Sequence, residues 1–305
     1  MECDRANFEK AFMKYVLDCT KDNVEITLKD LEEFITPYSK VIVEKTYYDE
    51  VSADGDDNPR KIMNEVWKLN GYICRSDGPA IIEYYESGSI KSHEYCDMYY
   101  QTRSDGPAYI EYYEEGQTKL EKYYLRGVLH REGDFALIKY FEDGTPQLKQ
   151  KYFNGYLHSD DGPASIEYYM NHSKKEERYY TDRVLTRGDG PAVIEFFDTG
   201  IVSAHHYYDK GLLFREDGPS MIEYHDNGEI KCEHYLNYDE KYIREDGPSK
   251  IEYYDNGKIK CEHYLNNGKY IREDGPAMIL YTEDGNISLQ QFWNETGKVS
   301  ETKFF

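Results

Sequence analysis

The chain has 305 residues, 59 acidic against 37 basic side chains, a net charge of −22 and 33 tyrosines. A surface of that charge repels phosphate backbones and anionic headgroups, which excludes nucleic acid as a partner and disfavours bare membrane. No apolar run reaches ~18 residues and no leader pattern opens the chain, so the sequence predicts no membrane span and a cytoplasmic location. The 6 cysteines form no CxxC pair, which indicates free thiols.

The N-terminal part has the periodicity of helices. Residues 4–20 place apolar side chains on one helix face, and residues 28–36 form a second candidate helix that ends before Pro37. Residues 40–50 read as a strand. Residues 1–60 are therefore predicted to be a small α-helical cap, with a docking domain for a partner as the alternative.

A unit of 28 residues recurs along the rest of the chain and is marked by the string Asp-Gly-Pro or a close variant. A half-unit at 61–77 precedes eight units, and the repeat domain is predicted to span residues 61–301. The units start near residues 78, 106, 134, 162, 190, 218, 247 and 275, with one step of 29. Such periodicity predicts one structural element copied along the chain.

Each unit carries an isoleucine and, two places later, an aromatic residue. This period of two places both side chains on one face of a strand. The structural isoleucines are Ile82, Ile110, Ile138, Ile166, Ile194, Ile222, Ile251 and Ile279. A turn such as Asp255–Gly257 and a second strand follow. The pattern predicts an elongated all-β array of eight antiparallel β-hairpin units, either an open twisted sheet or a closed solenoid.

The hairpin turn is predicted to be a three-residue loop closed by a left-handed glycine, because that register brings unlike charges together. The predicted pairs are Glu252 with Lys260, Tyr253 with Ile259, and Ile251 with Cys261.

An arginine precedes the Asp-Gly-Pro string in seven places, including Arg103, Arg215, Arg244 and Arg272. The aspartate two places later is expected to accept hydrogen bonds from backbone N–H groups of its turn. The arginine is expected to reach the neighbouring unit.

Strings such as YYDNGKIKCEHYLNNGKYIREDGPA, residues 253–277, resemble the MORN repeat and its bacterial, phage and giant-virus variants. The unit here is longer by the added Arg-x-Asp-Gly-Pro-Ala block. The resemblance implies an array of stacked β-hairpins that is closer to a scaffold than to an enzyme, and a viral or phage source. In that case the host cytoplasm or the virion is the expected location.

A column of aromatic side chains lies on the strand face opposite the isoleucines. Its members are Tyr85, Tyr113, Phe141, Tyr169, Phe197 and Tyr254. Exposed aromatic stripes mark binding surfaces, so these six are the predicted binding residues. The alternative is that both faces are covered, or that the rings pack on neighbouring lysine stems.

Two Cys-Glu-His triplets, Cys232–His234 and Cys261–His263, invite a zinc interpretation. Their strands are equivalent in successive units, so another strand should separate them by ~9.5 Å in total. Zinc needs ligands within ~2.3 Å, and no metal or other cofactor is therefore predicted. The acidic residues recur in columns, whereas an active site needs an asymmetric constellation, so no enzymatic activity is predicted.

These features predict a non-enzymatic interaction scaffold that presents an acidic, tyrosine-rich surface to a basic protein. One alternative is an antitoxin-like or host-factor inhibitor of one basic partner, using the irregular section 131–183. A lipid adaptor is a third alternative, and self-association is left open.

Overall fold

The computed structural model describes residues 41–48, 61–97, 100–294 and 297–305. Both predicted helices lie outside these residues. Every helix or strand element in the described ranges is a β-strand. No helix in these ranges is long and apolar enough to cross a membrane. The strand predicted at 40–50 is present as Val41–Tyr47.

The chain divides into two compact parts, an N-terminal region ending at Gln117 and a C-terminal region from Thr118 to Phe305. The strands of the N-terminal region are β1 (Val41–Tyr47), β2 (Ile62–Leu69), β3 (Tyr72–Ile73), β4 (Ile81–Tyr84), β5 (Ile90–Glu94) and β6 (Tyr109–Tyr112). All pairings between them are antiparallel, in the order β1–β2–β4–β5–β6, with β3 added to one end of β2.

The C-terminal region is a longer antiparallel meander in which each main strand pairs with the next main strand along the chain. The main strands are β7 (Thr118–Lys122), β10 (Leu137–Tyr140), β11 (Pro146–Gln150), β14 (Ser165–Tyr168), β15 (Lys174–Arg178), β18 (Val193–Phe196), β19 (Val202–His206), β22 (Met221–Tyr224), β23 (Ile230–His234), β24 (Lys250–Tyr253), β25 (Ile259–His263), β28 (Met278–Tyr281), β29 (Ile287–Trp293) and β30 (Val299–Phe304). This confirms the predicted antiparallel hairpin array.

Short hairpins of two-residue strands connect successive main hairpins. They are β8–β9 (Tyr124–Leu125, Val128–Leu129), β12–β13 (Tyr152–Phe153, Tyr156–Leu157), β16–β17 (Tyr180–Thr181, Val184–Leu185), β20–β21 (Tyr208–Asp209, Leu212–Leu213) and β26–β27 (Leu265–Asn266, Lys269–Tyr270). Their turns use two residues of positive φ, as in Asn267 (50°) and Gly268 (76°). In the 29-residue unit the turn at this position is longer. Its Asn237 N–H donates to the Lys241 carbonyl, and three residues lie between the two.

The main hairpin turn is the predicted three-residue loop. Tyr254 N–H donates to the Lys258 carbonyl, and Gly257, at φ 77°, donates to the Tyr254 carbonyl. The predicted pair of Tyr253 with Ile259 is confirmed.

The other two predicted pairs are wrong. Glu252 lies opposite Cys261 and Ile251 opposite Glu262, because a β-bulge shifts the register between Glu252 and Tyr253. The same shift occurs in every main hairpin whose pairing is described. In some repeats the extra residue at the bulge still forms an ion pair across the hairpin. Lys175 Nζ lies 2.7 Å from a carboxylate oxygen of Glu167, and Lys231 Nζ lies 3.6 Å from one of Glu223.

The alanine or serine that follows each Gly-Pro sequence, or Asp-Phe in the case of Ala136, is so fully buried that a larger side chain would not fit. The fully buried positions, each 0 to 1% exposed, are Ala80, Ala108, Ala136, Ala164, Ala192, Ser220, Ser249 and Ala277. Donors across the hairpin include the N–H groups of Ala80, Ala136, Ala164, Ala192, Ser220, Ser249 and Ala277, with Ser249 donating to the His263 carbonyl at 2.9 Å. A bulkier side chain at these positions would overpack the start of the strand. The nearby Ile222, Ile251 and Ile279 are 8 to 9% exposed and pack beside them.

The irregular section 131–183 keeps this architecture. Strands β10, β11, β14, β15 and β18 pair in the same register as elsewhere. His172 and Arg183 occupy glycine positions with φ of 69° and 74°. Arg183 compensates by stacking on the Tyr156 ring at 3.4 Å. The sequence irregularity therefore changes side chains and leaves the strand pairing intact.

Candidate interaction surface

The predicted aromatic column occupies the last position before each main hairpin loop, where the chain leaves the sheet. The Tyr254 hydroxyl donates a 2.7 Å hydrogen bond to the Tyr281 carbonyl, and Tyr169 donates likewise to Phe196 at 2.9 Å. In the N-terminal region Tyr85 binds the Tyr112 carbonyl at 2.8 Å. Each bond joins one repeat to the next.

The strand pairing explains why a carbonyl is available at that point. Strands β25 and β28 pair over three residues and the ladder stops before Tyr281. The backbone carbonyl beyond the ladder needs another donor, because a half-buried polar group without one is costly. The tyrosine hydroxyl of the preceding repeat supplies it. His225 fills the same role with Nε2 at 3.2 Å from the Tyr253 carbonyl.

All six predicted binding residues are half-buried rather than exposed: Tyr85, Tyr113, Phe141, Tyr169, Phe197 and Tyr254. Phe141 and Phe197 have no hydroxyl group and act by packing alone. The placement favours the alternative of a packed column over an exposed binding stripe. The hydroxyl–carbonyl bonds could not be read from spacing alone, because they depend on where the ladder stops.

A second tyrosine column links the repeats on the other face. The hydroxyls of Tyr253 and Tyr281 each donate at 3.0 Å to a carboxylate of the preceding repeat, Glu233 and Glu262 respectively. Burial, together with the bond to Glu262, raises the pKa of Tyr281 to about 12. These hydroxyls therefore stay protonated and serve as donors at neutral pH.

The arginine column stacks within its own repeat and, as predicted, also reaches the start of the neighbouring unit, where Arg244 donates to the Pro248 carbonyl at 3.4 Å and Arg272 to the Pro276 carbonyl at 3.2 Å. The Arg244 guanidinium carbon lies 4.1 Å from the centre of the Tyr235 ring, and Nε donates to Asp246 at 2.8 Å. The same stacking occurs at Arg75, Arg103, Arg131, Arg187, Arg215 and Arg272. The aspartate thus accepts a hydrogen bond from the arginine side chain, and this bond lowers the pKa of Asp246.

The glycine of the Asp-Gly-Pro string leaves room for this stack, although Arg131 stacks on Tyr123 at 3.9 Å with Asp134 in the glycine position. A Cβ on Gly247 would lie 3.2 Å from the Arg244 guanidinium carbon. The plane of the guanidinium is thus enclosed between an aromatic ring and a backbone segment, which is the geometry of a partly desolvated cation–π contact. This contact accounts for the repeated Arg-x-Asp-Gly string.

Acidic side chains line both ends of the strands in the C-terminal region. The loops of the main hairpins expose Glu142, Asp143, Asp198, Asp226, Asp255, Glu283 and Asp284. The Asp-Gly-Pro loops at the opposite end expose Asp189, Glu216, Asp217, Glu245, Asp246, Glu273 and Asp274. Equivalent loops are two strands apart, so these carboxylates recur every ~9.6 Å. We call the second set the acidic loop row.

A polar cluster interrupts the apolar pattern in the last repeats. Lys250 lies opposite both His234 and His263, where other repeats place Leu137, Val193 or Met278. Its Nζ binds Glu252 at 2.6 Å. His234 Nδ1 lies 2.7 Å from the Tyr242 hydroxyl, and His263 Nδ1 lies 2.8 Å from that of Tyr270.

The histidines of this cluster are held neutral. Burial lowers the pKa of His234 and of His263, although Glu223 and Glu252 raise it in part. His263 Nε2 is 3.4 Å from a Glu252 oxygen but poorly oriented for a hydrogen bond. The two groups therefore make no hydrogen bond, because hydrogen bonds weaken steeply as the donor–acceptor angle departs from linear. Sequence reasoning did not single out Lys250, and the only signal was one charged residue in a column whose other members are uncharged.

The cysteines of the two triplets are separated by a whole strand. Cys232 and Cys261 lie on opposite sides of Glu252 on β24, as the repeat spacing predicts. Burial raises the pKa of both thiols to about 12, so both are protonated at neutral pH. No group of three or more His, Cys, Asp or Glu side chains in the described ranges is arranged to hold a metal ion.

Comparison with known proteins adds no relative. No family model matches the chain, and no curated protein matches it.

Proposed function

We propose that the chain is a non-enzymatic scaffold whose acidic loop row binds a basic protein segment. The observation that carries the proposal is the recurrence of the exposed carboxylates at Glu216, Glu245 and Glu273 in three consecutive repeats. Binding surfaces of repeat proteins are built from such one-dimensional recurrence. A net charge of −22 adds attraction for a basic partner.

One aspartate beside these glutamates, Asp246, and its counterpart Asp189 in an earlier loop are each held by an arginine before any partner arrives. Arg187 and Arg244 hold Asp189 and Asp246 through Nε at 2.7 and 2.8 Å. Because the arginines are themselves stacked on tyrosines, the loops lose little freedom on binding. A peptide in the polyproline II conformation advances ~9.3 Å per turn of three residues and presents every third side chain on the same side, so lysines at every third position match the ~9.6 Å repeat of the row.

The proposal retains the resemblance to MORN-type arrays and a location in the cytoplasm, or in a host cytoplasm or virion. The N-terminal residues 1–60 serve as a cap in this proposal. Catalysis has no part in it.

Binding of defined peptides by fluorescence anisotropy tests the proposal. A peptide with lysine at every third position should bind more tightly than one of equal charge with its lysines clustered. The difference should shrink between ~50 and ~300 mM salt, because exposed charges are screened. Combining Glu216→Gln, Glu245→Gln and Glu273→Gln should abolish the preference. Equal binding of both peptides to the unmodified chain would contradict the proposal.

The matched control removes the same charge from the other end of the strands. Glu142→Gln, Asp226→Asn and Glu283→Gln together should leave the preference for the periodic peptide unchanged. If this control weakens binding as much as the first set, only net charge matters. Flotation with anionic vesicles tests the lipid adaptor in parallel, and the proposal expects the protein to stay unbound.

One observation favours the single-partner inhibitor as a second candidate. The hairpin tip in the irregular section exposes Met170, which is 78% accessible, where the neighbouring tips carry acids. Phe153, in the same section but at the opposite end of the strands, is 53% accessible. An exposed apolar side chain at one position among acidic ones is typical of a contact with one partner. Loss of a stoichiometric partner from lysate on Met170→Ser would favour this candidate.

A further inference from the structure

The last strand of the C-terminal region has one side without a partner among the described residues. β30 pairs with β29 along one side, from Phe304 opposite Leu289 to Val299 opposite Trp293. No other described strand pairs with it. Val299 is 49%, Phe304 78% and Phe305 71% exposed. An edge strand with exposed apolar side chains is a ready template for another strand.

The hydrogen-bond pattern fixes which residues of β30 offer their backbone outward. Phe305 N–H donates to the Ser288 carbonyl at 3.1 Å, so this residue faces β29. Backbone groups of successive residues alternate between the two sides of an antiparallel strand. Glu301 and Lys303 therefore also face β29 with their backbone groups, and Thr302 and Phe304 present theirs to the open side.

The charged side chains of β30 are complementary to a second copy of the same strand. Glu301 and Lys303 lie on one face, 3.7 Å apart, with side chains 55% and 48% exposed. We propose that β30 pairs antiparallel with β30 of a second copy of this chain, centred on Thr302. Glu301 then lies opposite Lys303 of the second copy, and Lys303 opposite its Glu301.

The backbone groups agree with this register. Pairing centred on Thr302 puts Thr302 opposite itself, so the outward backbone groups of the two copies meet. Sliding to the adjacent permitted registers centres the pair on Glu301 or on Lys303 and places like charges opposite each other, which is destabilising. The Thr302 register also sets Val299 opposite Phe305 of the second copy and covers both. Charge, hydrogen bonding and apolar contact thus select the same alignment.

Strand β1 has one side without a described partner in the N-terminal region, and it lacks this complementarity. Glu44 and Lys45 are adjacent, so their side chains point to opposite faces. Antiparallel self-pairing brings residues of equal parity together, so Glu44 cannot lie opposite Lys45. Their charges are also occupied by Lys68 at 2.7 Å and Glu65 at 2.8 Å. The structure therefore assigns self-pairing to β30 alone, which closes a two-fold dimer.

Sedimentation equilibrium across protein concentration tests the pairing. The unmodified chain should form a dimer that is weaker at ~300 than at ~50 mM salt. Glu301→Lys or Lys303→Glu alone should weaken dimerisation about tenfold or more, because two attractive contacts become repulsive. The double variant Glu301→Lys, Lys303→Glu should recover it. A monomer at every concentration, or open-ended polymers, would overturn the proposal.

Mixing the two single variants gives a sharper result. In a mixed pair each reversed charge meets its opposite, so an equimolar mixture should form heterodimers while each variant alone stays largely monomeric. Both variants change exposed side chains, so a circular dichroism spectrum equal to that of the unmodified chain checks that they fold. Heterodimers no more abundant than homodimers would exclude the register.

A cysteine placed on the two-fold axis tests the alignment directly. Facing Cα atoms in this pairing are ~5.5 Å apart, within the range of a disulfide. Thr302→Cys should give a disulfide-linked dimer under mild oxidation, above the background of the unmodified chain. Ser300→Cys is the control, because in this register its copies lie four residues apart along the strands. Equal cross-linking at both positions would contradict the alignment.

Discussion

The Tyr254 hydroxyl donates a 2.7 Å hydrogen bond to the Tyr281 carbonyl, 27 residues further along the chain. Tyr169 and Tyr85 make the same bond at the same separation. The aromatic column that sequence reasoning assigned to binding is therefore part of what holds neighbouring repeats together.

Tyr254→Phe should lower the free energy of unfolding by about 1 kcal/mol, because it removes a donor from a half-buried carbonyl while keeping the ring. Urea unfolding followed by circular dichroism measures the change. Phe197→Tyr, which restores the hydroxyl in another repeat, is the control and should be neutral or stabilising. A loss of stability in both variants would mean that ring packing, and not the hydrogen bond, matters at this column.

Arg244→Ala should destabilise the fold by about 1 to 2 kcal/mol, since the guanidinium stacks on Tyr235 and covers Gly247. Arg244→Lys should recover only part of this loss, because an ammonium group cannot stack as a plane. Lys269→Ala, at an exposed position of the short strand β27, serves as the surface control with a change near zero. Equal stability of the lysine variant and the unmodified chain would show that charge alone suffices.

Two glycines in consecutive repeats separate backbone strain from steric contact. Gly200 has φ of 86° and no atom within 4 Å of the point that a Cβ would occupy, whereas Gly188 has equal space and an ordinary φ. Gly200→Ala should cost about 1 kcal/mol, because an L-residue pays for left-handed backbone geometry. Gly188→Ala should be neutral or stabilising. Thermal unfolding of both variants measures the contrast, and equal melting temperatures would contradict it.

Stability should fall on mild acidification. Burial lowers the pKa of His93, His205, His234 and His263 below the ordinary value of 6.5. As pH drops below about 6.5, the unfolded chain binds protons that the native chain does not, so unfolding becomes easier until the lowered native pKa values are reached. Urea unfolding at pH 7.5, 6.5 and 5.5 should show the decline.

Replacing two of these histidines tests the cause. A chain with His234→Gln and His263→Gln should lose less stability between pH 7.5 and 5.5 than the unmodified chain. The exposed aspartates whose pKa is lowered by arginine, such as Asp246, contribute only at lower pH, as carboxylates protonate below their ordinary pKa of 3.8. An unchanged pH dependence in the double variant would place the titration elsewhere.

The repeat, its strands and its turns could be predicted because each depends on local pattern. Ile251 and Tyr253 alternate in the way a strand requires, and Gly257 occupies the position that a three-residue loop reserves for left-handed geometry. The register beyond that turn could not be predicted. The bulge after Glu252 is a backbone event that charge matching does not reveal, and side chains such as Lys175 and Glu167 reach across it.

Contacts between residues distant in the sequence could not be predicted for a related reason. The direction in which the Arg244 side chain points depends on Tyr235, nine positions earlier. This tyrosine becomes its neighbour only after the chain turns back. The role of Lys250 depends on two histidines contributed by flanking strands, on Tyr270 of a short hairpin and on Tyr242 of the longer turn in the 29-residue unit. Such sites are assembled by the pairing order, so composition signals only that a charge is out of place.

The tyrosine–carbonyl bonds connect residues only 27 positions apart, and each main strand pairs with the next one along the chain. Most all-β domains fold slowly because their pairings join distant parts of the sequence. In this chain the loop that must close for each contact is short. The C-terminal region should therefore fold by zipping outward from any repeat, at a rate closer to that of helical arrays than to that of β-sandwiches.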